Sequence, residues 1–316
     1  MDINLAFVGY LTNAIREAQS VPDSAQTFND SQLVGFLNTV LHSEIVPTLI
    51  KTNEEYFVAY KDVAITQEMI NASASTGSIT LNIPSDAYGM KLREVALIQP
   101  GSGILPIRVP RIQLETATNG GFSGYGYYIT QNQIHFPYYG ITPGLIRLYY
   151  LRKPAIMVPF VQVAQVVAIN TISNQVVIAG TPGSGLFVGA NMSFCSQNQP
   201  YEYTVENVPI IAINNLNVEF DPLVIAKVSV GDYLCYPGQA PFAQYVPENL
   251  TYLLVQGAAL KVVQSVTDID SYKLAKADYD EMKMTAFSSL VNRVVSEPKK
   301  IIVGGNRNPN RYGYRF

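Results

Sequence analysis

Residues 166–170 read Val-Val-Ala-Ile-Asn, and residues 210–214 read Ile-Ile-Ala-Ile-Asn. A second pair follows in the same order, with Phe-Val-Gly-Ala-Asn-Met at 187–192 and Ser-Val-Gly-Asp-Tyr-Leu at 229–234. The separations are 44 residues (166 to 210) and 42 residues (187 to 229), so order and spacing are both kept. Since one copy could not cover its own apolar face, this pattern predicts a duplicated β domain over 158–246, folded as a small barrel or sandwich. Chance matching of short Val, Ile and Gly strings is the alternative.

A second strand-rich region precedes the duplication. Between 53 and 157 the apolar residues recur with a period of two, and β-branched and aromatic residues are frequent. Within it, residues 124–136 predict a hairpin that turns near Gln131-Asn132. We therefore expect a first β unit over 53–157, followed directly by the duplicated β domain over 158–246.

Helices are predicted at both ends of the chain, where apolar residues recur every three or four positions. Over 1–52 the sequence predicts two helices, with Asp30 or Ser31 capping the second and Pro47 ending or kinking it. Over 247–297 it predicts a helical pair. If these helices pack together, the fold class is α+β: a helical platform that carries two inserted antiparallel β units.

The C-terminal segment 298–316 has a different composition, because it contains basic and aromatic residues but no acidic one. Gly304-Gly305 and Pro309 argue against regular structure, and the aromatic residues argue against a merely solvated tail. We interpret it as an extended arm that orders on a partner; a disordered tail is the alternative. Its predicted partner-binding residues are Lys299, Lys300, Arg307, Arg311, Tyr312, Tyr314, Arg315 and Phe316.

Charge is scarce in this chain. Hydrophobic residues make up 48% of the 316 residues, which excludes global disorder, whereas charged residues make up only 14%. Low charge is typical of surfaces buried between subunits, and it is equally expected of a β-rich protein with a Ser, Thr, Asn and Gln surface. The net charge of −3 predicts no bulk attraction to nucleic acid or membrane.

The sequence shows no signal peptide and no apolar run near the roughly 20 residues that span a bilayer. We therefore expect a protein that is made in the cytoplasm and is not inserted in a membrane.

Residues that carry catalytic or metal chemistry are few. The two histidines, His42 and His135, lie near no nucleophile elbow and at no metal-ligand spacing. The two cysteines, Cys195 and Cys235, are predicted to be small buried hydrophobes rather than a reactive pair. The Gly-rich segment 183–189 has the wrong spacing for a phosphate-binding loop. We expect no enzyme activity, catalytic residue, cofactor or metal, although a carboxylate pair from distant positions stays open.

Tyrosine is abundant, with 21 residues and no Trp. Seven of them cluster in the first β unit: Tyr125, Tyr127, Tyr128, Tyr138, Tyr139, Tyr149 and Tyr150. One interpretation is a platform that stacks on sugars, and the other is strand-face packing or a subunit interface, in which Tyr is favoured. The lack of Trp favours packing or an interface.

Three stretches, taken in order, point to a family. The first is the amphipathic start through Asp-Ser-Gln-Leu-Val-Gly-Phe-Leu at 30–37. The second is the hairpin Tyr-Tyr-Ile-Thr-Gln-Asn-Gln-Ile at 127–134, followed by Ile-Arg-Leu-Tyr-Tyr-Leu-Arg-Lys-Pro at 146–154. The third is a C-terminal pair that opens with Val-Pro-Glu-Asn-Leu at 246–250 and ends with Leu-Val-Asn-Arg at 290–293. In these stretches the chain resembles the head-to-tail adaptor (connector) proteins of tailed bacteriophages, from which its duplicated insert departs.

The resemblance implies a non-enzymatic structural protein of the virion neck or tail. It implies a homo-oligomeric ring, of twelve subunits to match the portal, that binds the portal and other neck and tail proteins. Genomic DNA would pass through the ring without sequence-specific binding, which fits a mildly acidic chain because a basic lumen would bind phosphates. The arm 298–316 would dock on the portal or on a neighbouring subunit. The alternatives are a carbohydrate-binding tail or surface protein, and a DNA-binding role for the arm.

Overall fold

The computed structural model describes residues 7–18, 28–98, 106–114, 126–137, 143–180, 185–266 and 269–290. The fold class is α+β, as the sequence periods predict, with helices towards both ends of the chain and mainly antiparallel sheets between them. The helices are α1 (Val8–Ala18), α2 (Asp30–Val40), α3 (Val46–Thr52), α4 (Gln67–Thr76), α5 (Pro222–Ile225), α6 (Thr251–Val266) and α7 (Ile269–Leu290).

The strands form several separate sheets. In the first β unit they are β1 (Val58–Ile65), β2 (Ser78–Asn82), β3 (Ala87–Ile98), β4 (Ile107–Arg108), β5 (Tyr128–Thr130), β6 (Gln133–Pro137), β7 (Gly144–Arg152) and β8 (Ile156–Met157). The later strands are β9 (Ala164–Asn170), β10 (Gln175–Ala179), β11 (Asn191–Cys195), β12 (Tyr203–Pro209), β13 (Ala212–Asn214), β14 (Asn217–Glu219), β15 (Tyr233–Cys235) and β16 (Gln239–Ala240).

The start of α2 corrects a sequence prediction. Its N-cap is Asn29, not Asp30 or Ser31. The Asn29 side chain accepts a hydrogen bond from the Gln32 amide (2.9 Å), and the Gln32 side chain accepts one from the Asn29 amide (3.0 Å). This reciprocal capping box satisfies two amides that a cap one residue later would leave unpaired.

Pro47 does not end the helix, because the backbone stays helical from Asp30 to Thr52. One wide π-helical turn, Leu41–Ile45, separates α2 from α3, and Pro47 then lies in the first turn of α3. Inside a continuous helix a proline removes one backbone hydrogen bond and its ring crowds the preceding turn, and the wide turn directly before Pro47 is where the helix departs from α geometry.

Helix α6 contacts three other helices, α1, α2 and α7. Gly257 on α6 faces both α2 and α7. A Cβ at this position would come within 2.7 Å of a Val40 methyl carbon and 2.8 Å of the Tyr279 hydroxyl. The chain start joins this core as well, since the Val8 amide donates to the Pro241 carbonyl (2.9 Å). One hydrophobic cluster therefore contains residues of α1, α2, α3, α6 and α7 together with the segment 240–246.

The first β unit contains a helix that the sequence analysis missed. Strand β7 lies between β1 and β3 in one sheet, and β6 lies between β2 and β5 in another. Between β1 and β2 the chain forms α4, capped by the Thr66 side chain and ended by Gly77 in the left-handed conformation (φ 75°). The predicted turn at Gln131-Asn132 is confirmed, because both residues have positive φ, as a tight hairpin turn requires.

In the second β region the strand order is β12-β11-β15-β9-β10-β14-β13. Its two edge strands, β12 and β13, are consecutive in the chain, with only Ile210 and Ile211 between them. The Ile210 amide donates to the Ala190 carbonyl (3.0 Å) just before β11, and the Ile211 amide donates to the Glu219 carbonyl on β14 (2.9 Å). The segment 203–214 therefore hydrogen-bonds to both ends of the strand order.

The two similar stretches of sequence differ in one turn. Four residues, 171–174, connect β9 to β10, whereas two residues, 215–216, connect β13 to β14. The two missing residues account for the drop in separation from 44 to 42 between the first and second pairs of similar segments.

The register also repeats. If each residue of a strand pair is replaced by its counterpart in the other stretch, the result is again a pair in the sheet, as a two-fold axis requires. The pair Tyr233–Gln165 becomes Asn191–Pro209, and the pair Leu234–Ala164 becomes Met192–Val208. In the pair Val176–Val218, two counterparts pair with each other. Val176 and Val218 are both fully buried, so this axis passes through the core of the unit.

Replacement of Gly257 by Ala is expected to destabilise the protein by about 1–2 kcal/mol, because the clash outweighs the gain of about 1 kcal/mol in helix propensity. The matched control is Gly35→Ala in α2, where a Cβ would meet nothing within 4 Å and the same propensity gain should stabilise the protein. Urea unfolding of both variants measures the difference. Equal stabilisation by the two substitutions would contradict close packing at Gly257.

Candidate functional site

None of the predicted partner-binding residues of the arm lies in the described part of the chain. They are Lys299, Lys300, Arg307, Arg311, Tyr312, Tyr314, Arg315 and Phe316, and the description ends at Leu290.

A polar junction centred on Arg152 connects the parts of the fold. Its guanidinium donates to Asp86 (3.0 Å) and to the Tyr245 hydroxyl (3.2 Å), and it pairs with Glu206 (3.0 Å). Asp86 precedes β3, Glu206 lies on β12 and Tyr245 belongs to the helical cluster, so one side chain contacts three units. The Tyr150 hydroxyl also donates to Asp86 (2.8 Å).

The charges at this junction are structural. Burial acts to lower the pKa of Arg152, but its hydroxyl and carboxylate partners outweigh burial and raise that pKa. Burial raises the pKa of Glu206, with Arg152 opposing part of the shift, and raises the pKa of Tyr245 to about 12. A permanently charged guanidinium held by three partners supplies no proton to a reaction, so we assign it the role of joining units.

The cysteines are fully buried, as predicted. The Cys195 thiol lies 3.1 Å from the Tyr201 carbonyl, and burial raises its pKa to about 12. Burial also raises the pKa of Cys235. Because the thiolate is the reactive form, neither side chain is nucleophilic at neutral pH.

The histidines are structural as well. The His42 ring lies in the π-helical turn and hydrogen-bonds the Ala155 backbone, and its buried Nε2 has no hydrogen-bond partner among the described residues. Burial, with Lys153 nearby, lowers its pKa, so the ring is neutral at pH 7. His135 lies within hydrogen-bond distance of Thr80 and Thr130. In the described ranges, no group of three His, Cys, Asp or Glu residues is placed to hold a metal.

Two of the clustered tyrosines, Tyr127 and Tyr150, are buried in the core of the first β unit, as the packing interpretation expects. Tyr149 lies on the opposite strand face, 6.2 Å from the Tyr60 ring, and the Arg147 guanidinium stacks over Tyr60 at 4.1 Å. Of the others, Tyr125, Tyr138 and Tyr139 lie outside the described residues.

The continuous helix Asp30–Thr52 is long and apolar enough, by length and composition alone, to cross a membrane. In the fold its apolar side is buried against the helical cluster, whereas polar residues such as Thr39 and Ser43 lie on its exposed side. This amphipathic pattern is typical of a core helix in a globular protein.

Two apolar patches lie on the surface of the second β region. Val167 and Ile211 occupy equivalent positions and are 46% and 49% exposed. Val188 and Val230 are a second equivalent pair, 60% and 54% exposed. The backbone bond from Gly231 to Val166 (2.8 Å) brings Val230 beside Val167, and the bond from Gly189 to Ile210 (2.9 Å) brings Val188 beside Ile211.

We name these the 167/230 patch (Val167, Val230) and the 211/188 patch (Ile211, Val188). The two-fold register relates them, and β10 and β14 separate β9 from β13 in the strand order, so the two patches lie apart. All four residues lie in the segments whose similarity predicts the duplication, but similarity alone could not show that they are exposed.

Replacement of Arg152 by Met is expected to cost about 3 kcal/mol, since two partly buried carboxylates lose their common partner. The matched control is Arg93→Met, whose ion pair with Glu54 is exposed and should contribute less than about 1 kcal/mol. Denaturant unfolding measures both, and equal losses would contradict the role of the junction.

Stability is expected to fall as the pH drops below about 6.5, because the unfolded chain then protonates His42 more readily than the folded chain does. The slope from this group is at most about 1.4 kcal/mol per pH unit. Comparing wild type with His42→Gln between pH 5 and 8 isolates the effect. A variant with an unchanged pH dependence would show that His42 does not cause it.

The sequence matches no protein-family model and no curated protein. The function must therefore be inferred from the two patches, the charge balance and the resemblance to phage adaptors.

Proposed function

We propose that this chain is a structural subunit of a neck ring of a tailed phage, a head-to-tail adaptor that connects the portal to the tail and forms part of the DNA conduit. The observation that carries the proposal is the presence of two separate apolar patches on one unit. A closed ring uses heterologous contacts, in which one surface of each subunit meets a different surface of the next.

The 167/230 and 211/188 patches meet this requirement. Each consists of β-branched apolar side chains beside a Val-Gly turn, so the removal of either from water is favourable. If the 211/188 patch of one copy covers the 167/230 patch of the next, both patches are buried in every subunit of a closed ring.

We also propose an arrangement of domains for this subunit. Contacts of α6 with α1, α2 and α7 support a helical platform formed by 1–52 and 247–297. The pairing of 203–214 with both β11 and β14 supports a small barrel for the duplicated domain 158–246. The unit 53–157 and the arm 298–316 complete the proposed domains.

The charge balance supports a conduit for DNA. With 21 basic and 24 acidic residues the chain offers no excess of positive charge to hold phosphates. The proposal therefore places genomic DNA as a passing partner without sequence-specific binding, the protein in the virion neck, and no enzymatic step in its function.

A carbohydrate-binding tail or surface protein is the second candidate. The exposed Tyr60 ring, with the half-buried Tyr149 ring and Arg147 beside it, is the observation that favours it, because sugars stack on aromatic rings. Arg147 is, however, already held by Asp62 at 2.7 and 2.8 Å, and it covers the Tyr60 face that a sugar would need.

The proposed function is tested by the mass of the purified protein, alone and with portal rings, by native mass spectrometry. We expect a closed ring of about twelve copies on the portal. The double variant Val188→Asp/Ile211→Asp should leave folded monomers that do not close a ring, since burying two carboxylates between subunits is costly.

The matched control is Ile172→Asp, because Ile172 is 95% exposed in the turn after β9 and lies outside both patches. It should assemble normally. Wild-type protein that stays monomeric with the portal, or a patch variant that assembles normally, would contradict the proposal, and glycan binding would then favour the second candidate.

A further inference from the structure

A groove of about 400 Å³ lies between the start of α6 and the middle of α7. Its floor is apolar and its rim is acidic. The lining residues are Asn249, Tyr252, Leu253, Asp278, Glu281, Met282, Thr285 and Ala286. Leu253 is buried, whereas the Tyr252 ring is 61% exposed and stands at the groove wall.

The carboxylates on the rim are available to a partner. Asp278 and Glu281 are both exposed, and neither has an ion pair with another described residue. Leu274, one helical turn before Asp278, is also exposed, which extends the apolar surface along α7. The groove therefore suits a peptide that combines basic and aromatic side chains.

The chain contains one such peptide, its own C-terminal arm 298–316. The arm has five basic residues, three aromatic residues and no acidic one, so its charge is complementary to the rim. Aromatic and arginine side chains are also those that contribute most at protein interfaces.

The chain beyond α7 is long enough to reach the groove of another copy. Asp278 lies twelve residues before Leu290, about 18 Å back along the helix. Fully extended, the 26 residues after Leu290 span about 86 Å, enough to reach a neighbour.

We propose that the groove between α6 and α7 is the docking site for the arm 298–316 of a neighbouring copy. This inference rests on the proposed ring, and it chooses the neighbouring subunit rather than the portal as the partner of the arm. Each subunit then donates one arm and receives one, a second heterologous contact beside the patches.

The first test does not need the ring. A labelled synthetic peptide of residues 298–316 is titrated into the full-length protein at low salt, with fluorescence anisotropy as the measurement. We expect binding that Asp278→Asn/Glu281→Gln weakens about tenfold and that 0.5 M salt also weakens. The matched control is Asp280→Asn, on the opposite side of α7, which should not change the affinity.

The second test uses assembled protein made from equal amounts of ¹⁴N- and ¹⁵N-labelled chains. Carbodiimide cross-linking joins Lys299 or Lys300 to rim carboxylates, and mass spectrometry shows whether the joined peptides carry different labels. Mixed-label links to Asp278 or Glu281 support docking between copies. Same-label links only would show that the arm occupies its own groove, and links to Asp280 at equal yield would show that the arm does not dock.

The two failures are distinguishable. If the peptide does not bind the groove while rings form on the portal, the docking site is wrong and the proposed ring stands. If the peptide binds the groove with the expected charge dependence but no ring forms, the groove is a binding site for the arm and the proposed function fails.

Discussion

The polar junction between the parts of this protein depends on Arg152. The first β unit and the second β region each have a hydrophobic cluster of their own, and a third cluster contains helices together with residues of both β regions, such as Met157 and Cys195. Apolar clusters specify little about relative orientation because the hydrophobic effect is non-directional. A guanidinium has five donors in a fixed plane, so its contacts with Asp86, Glu206 and Tyr245 are directional. The side chain is partly buried, which strengthens these contacts and makes the loss of any one costly. The polar junction thus adds directional contacts where the three units meet.

The second β region shows how a repeated sequence produces a surface suited to assembly. Equivalent residues pair across a two-fold axis, with Val176 against Val218 in the core. The same axis places equivalent side chains on the outside, so an exposed valine in one half has an exposed counterpart in the other. Pseudo-symmetry of this kind gives one chain two similar and separate apolar patches, and head-to-tail contacts need two surfaces on each subunit. The acidic groove beside α7 adds a surface of a different chemistry, charged where the patches are apolar.

Local signals explain which predictions from sequence were correct. The turn at Gln131-Asn132 was predictable because Asn tolerates positive φ better than most residues and stands between two runs of strand-forming residues. The cap of α2 was placed one or two residues too late because Asn29, Asp30 and Ser31 are all good capping residues, and only the reciprocal bonds with Gln32 decide between them. Helix α4 was missed because it is short and polar between two strands, with weak amphipathic periodicity and only the Thr66 and Gly77 caps as signals. None of the described surfaces was identified from sequence, since exposure is not a local property.

The sequence by itself determined the α+β class, the burial of both cysteines and the pair of similar segments, since periodicity, composition and spacing are properties of the chain. The tertiary structure alone decided which residues meet. Arg152 contacts the carboxylates of Asp86 and Glu206, which lie 66 and 54 residues away in the sequence. Gly257 lies against Val40 and Tyr279, and Tyr252 lies beside the groove residues of α7. It also decided which valines of the repeated segments are buried and which are exposed. The physical reason is that long-range contacts depend on how twisted sheets and helices pack, and no local propensity specifies that packing.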